Sequence, residues 1–131
     1  MSQKETTVRD LQRVAARDGR YATDAYAFIY EALAYTVNHL GRSGHVSGRE
    51  LLEGVRQLAL EQFGGLTGMV FARWGVHRTD DFGEIVFTLV EAGLMGKTDE
   101  DSRDEFRAVY DFHEAFRFDV VASGAPAGRK K

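Results

Sequence analysis

HVSGRELLEGVRQLALEQFGG, residues 45–65, is the clearest helical segment of the chain and carries its own start and stop. Ser47 followed by Glu50 is a capping-box pattern: the Ser hydroxyl accepts one orphan amide and the Glu carboxylate reaches back to another. Leu51, Leu52, Val55, Leu58, Ala59 and Phe63 recur at helical spacing and form one apolar stripe. Glu53, Arg56, Gln57 and Glu61 fall on the other side, with Glu53 and Arg56 a usable i,i+3 pair. Gly54 costs the helix about 1 kcal/mol of propensity, which predicts close helix packing at that point. Gly64 and Gly65 supply the stop.

Upstream, an N-cap at Thr23 opens a second helix in which Ala25, Phe28, Ile29, Ala32, Leu33, Thr36, Val37 and Leu40 keep helical spacing. Few charges interrupt it and Tyr21, Tyr26, Tyr30 and Tyr35 crowd it, as expected of a central helix. Glu31 in that setting is read as an acceptor for a Tyr hydroxyl in preference to an acid of raised pKa. A flexible turn, residues 41–44, joins the two helices. Earlier still, Val8, Leu11, Val14 and Ala15 predict a short amphipathic helix from about Thr7 to Asp18. Its outer face carries Arg9, Arg13 and Arg17, with Arg20 just beyond. That row is either a solvated face partly neutralised by Asp10 and Asp18 or a stripe for phosphates.

Downstream, Leu66, Met69, Val70, Phe71 and Trp74 predict a short, mostly buried helix ending at Gly75. Thr79 is expected to cap the next, with Phe82, Ile85, Val86, Leu89 and Val90 as its buried stripe and Gly93 as its end. Lys97 and Arg103 then face Asp99, Glu100, Asp101, Asp104 and Glu105 in an acidic loop. In FRAVYDF, Phe106, Ala108, Tyr110 and Phe112 alternate as in a strand, whereas Ser102-x-x-Glu105 is a capping box that would open a helix. The order predicts a mainly α (α+β) fold. It would be a helical domain of winged-helix-like order, with three helices and a small β-hairpin after two N-terminal helices. Residues 1–122 form one domain and residues 123–131, rich in small residues, a disordered tail.

Composition bounds the function. The chain of 131 residues has no Cys, so it has no disulfide and no thiolate ligand, and its net charge of −3 is too mild to imply a polyanion partner by itself. The polar N-terminus is not a signal peptide, and no apolar run approaches the roughly 18 residues of a membrane span. A cytoplasmic protein with no membrane partner is the expectation.

The segments AYAFIYEALAYT, HVSGRELLEGVRQLALEQFG, WGVHRTDDFGEIVFTLVEAGLMGKTDEDSRDEF and YDFHEAF, between about Tyr21 and Phe118, resemble an uncharacterised family of short bacterial proteins. The resemblance implies a cytoplasmic bacterial protein and carries over no catalytic residue.

Searched for chemistry, the sequence offers little. His113-Glu114 starts the zincin pattern, but Arg117 stands where the second His is needed. His39, His45, His77 and His113 show no ligand spacing, so no metal or cofactor is expected. Asp99, Asp101 and Asp104 lack the Gly and closing Glu of a calcium loop. Asp80, Asp81 and Glu84 suit the first turn of a helix, where negative charge favours the dipole. One cluster stands out: Arg42, His45 and Arg49 at one turn, and Arg73, Trp74, His77 and Arg78 at another, would form an RNA or anion patch if the fold joined them.

The first reading is therefore a non-enzymatic adaptor that binds another protein or itself. Its partner surface would be the outer face of the Thr79 helix: Asp81, Glu84, Phe87, Thr88 and Glu91. The second is an RNA- or ribosome-associated protein using the Arg/His patch, and the third a small enzyme. Sequence-specific duplex DNA is excluded as a partner, because the acidic residues on that helix face repel phosphates and offer no donor to guanine.

Overall fold

The two helices with the strongest apolar patterning lie against each other and make the centre of the molecule. The computed structural model describes residues 1–41 and 44–116. It is mainly helical, with a small two-stranded antiparallel sheet. The elements are β1 (Ser2–Gln3), α1 (Val8–Asp18), α2 (Thr23–Leu40), α3 (Gly48–Phe63), α4 (Thr67–Trp74), α5 (Thr79–Glu91), β2 (Met95–Gly96) and a helical turn α6 (Phe112–Ala115). Two 3-10 turns, Gly64–Leu66 and Arg103–Phe106, link them.

α3 starts as its capping box requires: Ser47 Oγ accepts from the Glu50 amide at 3.1 Å and Glu50 Oε1 accepts from the Ser47 amide at 2.8 Å. Leu51, Leu52, Val55, Leu58 and Ala59 are buried, and Phe63 is half-buried. The reason for Gly54 is plain. A Cβ there would lie well inside the contact radius of Thr36 Oγ1 and 3.1 Å from Thr36 Cβ. Thr36 is buried on α2, its hydroxyl donating to the Ala32 carbonyl at 2.7 Å, so its side chain packs directly on the bare α3 backbone at Gly54. Ala25, Tyr26, Phe28, Ile29, Ala32 and Leu33 bury the rest of the α2 face.

α1 folds onto α2 through Leu11, Val14 and Ala15. Thr7 and Asp10 form a capping box that the sequence pattern did not single out, and Gly19 turns left-handed at the end. α2 begins one residue differently from expectation, since Ala22 is the N-cap and Thr23 the first helical residue. The Ala22 amide instead donates to the Trp74 carbonyl at 3.0 Å, which joins the start of α2 to the end of α4. An aromatic cluster fills that corner: Phe71 packs against Phe28, Trp74, Phe82, Phe112 and Phe116, with ring centroids 5.2–5.9 Å apart.

The segment after α5 departs most from expectation. No hairpin forms in residues 94–112 among the described residues. β2 pairs instead with the N-terminal strand β1, Ser2 opposite Gly96 and Gln3 opposite Met95. FRAVYDF is neither strand nor long helix: Arg103–Phe106 is a 3-10 turn and the chain then runs on to α6. The winged-helix-like order thus has no hairpin to carry it here. Alternation failed as a guide because burial in this segment follows one anchor. The Phe106 ring enters a slot between α3 and α5 that two glycines open, since a Cβ at Gly48 would lie 2.9 Å from Phe106 Cε2 and one at Gly83 2.8 Å from Phe106 Cβ. Thr79 does not cap α5; its hydroxyl donates to the Phe106 carbonyl at 2.7 Å and accepts from the Val109 amide at 3.0 Å. Arg42 and everything after Phe116, including the expected tail at residues 123–131, lie outside the described residues.

The helix contact has a direct test. Gly54→Ala is expected to cost about 1–3 kcal/mol by overpacking, beyond the gain from better helix propensity. Thr36→Ala combined with Gly54→Ala should recover most of that loss. Thermal melts of the four forms of this double-mutant cycle measure the coupling.

Candidate functional site

Three of the open clefts on the described surface and one exposed apolar strip gather residues that sequence reasoning had placed elsewhere. The first cleft, about 270 Å³, lies between α1 and α5 and is lined by Arg17, Asp18, Arg20, Thr88, Glu91 and Arg103 among others. Of the expected partner surface it takes in Thr88 and Glu91. Asp81 is spent as a cap: it accepts from the Tyr21 hydroxyl at 2.8 Å and from the His77 and Arg78 amides at 2.8 and 3.2 Å. Glu84 is held by two arginines, Arg20 at 3.4 Å and Arg103 at 3.4 Å. Phe87 is buried, its ring covered by the Arg103 guanidinium 4.8 Å from the centroid. Only Glu91 is fully exposed on this face, with Thr88 half-buried beside it.

Two phenols, Tyr26 buried and Tyr21 half-buried, lie near the same corner. Desolvation pushes the Tyr26 hydroxyl up from its ordinary pKa, helped by its hydrogen bond to Asp18. Tyr21 is raised in the same way, by desolvation and then by Asp81. Both are therefore neutral donors that fix carboxylates, and neither is poised to lose a proton near neutral pH.

The second cleft, about 480 Å³, is lined by His77, Arg78, Asp80, Arg107, Ala108, Tyr110, Asp111 and Phe112. Asp80 accepts from the Ala108 amide at 2.9 Å, and Ala108 takes a φ of +47°, a left-handed conformation rarely adopted by a residue with a Cβ. Asp111 caps α6 by accepting from the His113 and Glu114 amides. Tyr110 donates to the Leu52 carbonyl at 2.7 Å, and desolvation raises its pKa.

The third cleft, about 250 Å³, holds His45 among acids: Glu50, Glu100, Asp101 and Glu105 line it with Val46, Ser47 and Thr98. The expected Arg/His patch is thus divided. His45 stands in this acidic cleft, whereas His77 and Arg78 line the second. Arg49 and Arg73 are exposed outside both, and Trp74 is half-buried against Phe28, Phe63 and Phe71. Glu31 is exposed and accepts from Gln62 Nε2 at 2.6 Å, so no Tyr hydroxyl binds it; Tyr35 goes to Glu61 at 2.5 Å instead. Among the described residues no three His, Asp or Glu side chains gather as metal ligands, and no helix is long and apolar enough to cross a membrane.

The apolar strip was misjudged from the sequence. Leu66 and Met69, expected in the core, are 58% and 62% exposed. Phe63, Val70 and Trp74 lie half-buried along the same stretch, with Arg73 exposed at its end. The pattern could not separate a fully buried helix from one that buries Thr67 and Phe71 fully and Val70 and Trp74 only in part, because a helix of eight residues spans barely two turns. Comparison with protein families, with curated proteins and with solved structures finds no match to this chain.

Asp101 is the most committed carboxylate of the third cleft. It is buried and accepts from the Thr98 amide and from the Met1 ammonium, both at 3.0 Å; the same ammonium donates to the Val46 carbonyl at 2.7 Å. Desolvation alone would raise its pKa, but the Thr98 amide and the hydrogen bond and charge of the ammonium outweigh that and hold it below the ordinary value. A carboxylate depressed in the folded state contributes stability above its unfolded pKa, near 4. The contribution is lost as pH falls through the lower folded value. Asp101→Asn should therefore be less stable than wild type at pH 7, with the gap closing as pH drops below about 4. Denaturant melts across that range read the difference.

Proposed function

We propose that this is a non-enzymatic interaction protein that docks on another polypeptide through the α4 strip. The exposure of Leu66 and Met69 carries the reading. Soluble domains scatter single apolar residues over their surface, but here two large ones, Leu66 and Met69, stand exposed three residues apart beside the half-buried Phe63, Val70 and Trp74, a combination that suits a protein interface. Met, Trp and Arg are also the side chains in which interface centres are enriched. α4 is held from beneath by Phe71 and Thr67, so the strip is presented on a fixed support: Thr67 donates to the Gly64 carbonyl at 2.7 Å. The acidic α5 face first considered as the partner surface supports this role less well, since Asp81, Glu84 and Phe87 already have internal partners.

The enzyme reading draws no support from the clefts. All three are open to solvent, and most of their charged groups cap helices or pair with each other.

Affinity capture from native lysate with nuclease present tests the proposal, using wild type and the Leu66→Lys, Met69→Lys double variant. Both positions are exposed, so the variant should keep its melting midpoint. A protein partner retained by wild type after nuclease and lost by the variant is expected. Identical capture by both forms, or loss of every partner to nuclease, would contradict the reading.

A further inference from the structure

We infer that α1 is a docking strip for a single-stranded nucleic-acid backbone, separate from the α4 surface. Arg9, Arg13 and Arg17 are all exposed on α1, four residues apart, in a row that rises about 6 Å per step and about 12 Å in all. Arg9 and Arg17 pair with no carboxylate among the described residues, and Arg13 pairs only with Asp10, whose carboxylate is already engaged as the cap of the helix. The row leads into the cleft between α1 and α5, where Arg17 meets Arg20 and Arg103. Those last two are aimed by carboxylates: Arg20 by Asp18 at 2.9 Å and Glu84, Arg103 by Glu84. A guanidinium has five donors, so each keeps N–H groups for a further acceptor. Thr88 adds a hydroxyl on the opposite wall; Glu91 is the one acidic group there with no ion pair.

Charge is segregated on this molecule. Residues 1–20 hold Lys4 and four arginines against Glu5, Asp10 and Asp18, a balance of +2, while the whole chain is −3, so the remaining residues carry −5. That contrast selects the partner. A duplex or an anionic bilayer is broad and would bring its charge against the acidic residues flanking the row, whereas a single strand is narrow enough to follow it. The arginine fork matches phosphate oxygens in pairs. Val8, 70% exposed, is the only large apolar residue exposed on α1, too little for a membrane anchor.

Fluorescence anisotropy of a labelled oligouridylate of about a dozen nucleotides tests the inference. Binding at low salt is expected, with log K falling against log salt at a slope near −2, about 0.7 per phosphate contact for three contacts. Arg9→Gln with Arg17→Gln should leave the melting midpoint unchanged and flatten the slope by about 1.4. Arg49→Gln with Arg73→Gln, the same charge lost elsewhere, should leave binding unchanged. The inference is overturned by absent binding at low salt, by an α1 variant that binds like wild type, or by an equal loss in the Arg49 and Arg73 control. Equal competition by polyglutamate, or tighter binding to anionic vesicles than to the oligonucleotide, would overturn it too.

Discussion

Two helices approach closely only where one of them gives up a side chain, and here α3 gives it up at Gly54. The Thr36 hydroxyl occupies that space and satisfies itself on the Ala32 carbonyl, so the contact buries a polar group at no loss of hydrogen bonding. Everything else is arranged around the pair. α1, α4 and α5 all pack on α2. The propensity lost at Gly54 is small beside the burial of Leu51, Leu52, Val55, Ala32 and Leu33 that the approach allows.

A second contact fixes how the chain returns to this centre. Phe106 is the anchor of a segment with almost no regular structure, and it is held from both sides: by backbone exposed at Gly48 and Gly83, and by the Thr79 hydroxyl on its carbonyl. The adjoining Glu105 accepts from the Gly48 amide at 3.3 Å. Ordering the 98–111 segment in this way closes the first cleft with Arg103 and builds the second from Arg107 and Tyr110.

The helices were legible because their signals are local. Capping at Ser47, the apolar stripe of α3 and the glycine stops at Gly19 and Gly75 all act within a few residues, and the structure realises each of them. Long-range pairing was not legible. Nothing in MSQ announces that Met1 is buried or that Ser2 and Gln3 pair with Met95 and Gly96. The alternation in FRAVYDF resembles a strand, yet Phe106 is buried and Phe112 half-buried through separate contacts, with Phe87 of α5 and with the aromatic cluster. The candidate sites suffered for the same reason. Asp81 and Glu84 read as a free acidic face because their partners, Tyr21, Arg20 and Arg103, are remote in sequence. Arg20 was noted only as a neighbour of the α1 row, and its place in a cleft emerges only when α1 meets α5.

The second and third clefts are lined largely by groups that cap helices or accept backbone amides, the first cleft keeps Arg17 and Glu91, unpaired among the described residues, and Leu66 and Met69 at the start of α4 stand in water. The central functional claim is that this strip is where a protein partner sits. Amide hydrogen exchange on the protein bound to its nuclease-resistant partner tests it most directly. The account predicts slowed exchange confined to the stretch from Phe63 to Trp74, with the linings of the second and third clefts unchanged. Unaltered exchange across that stretch, with protection in a cleft instead, would contradict it.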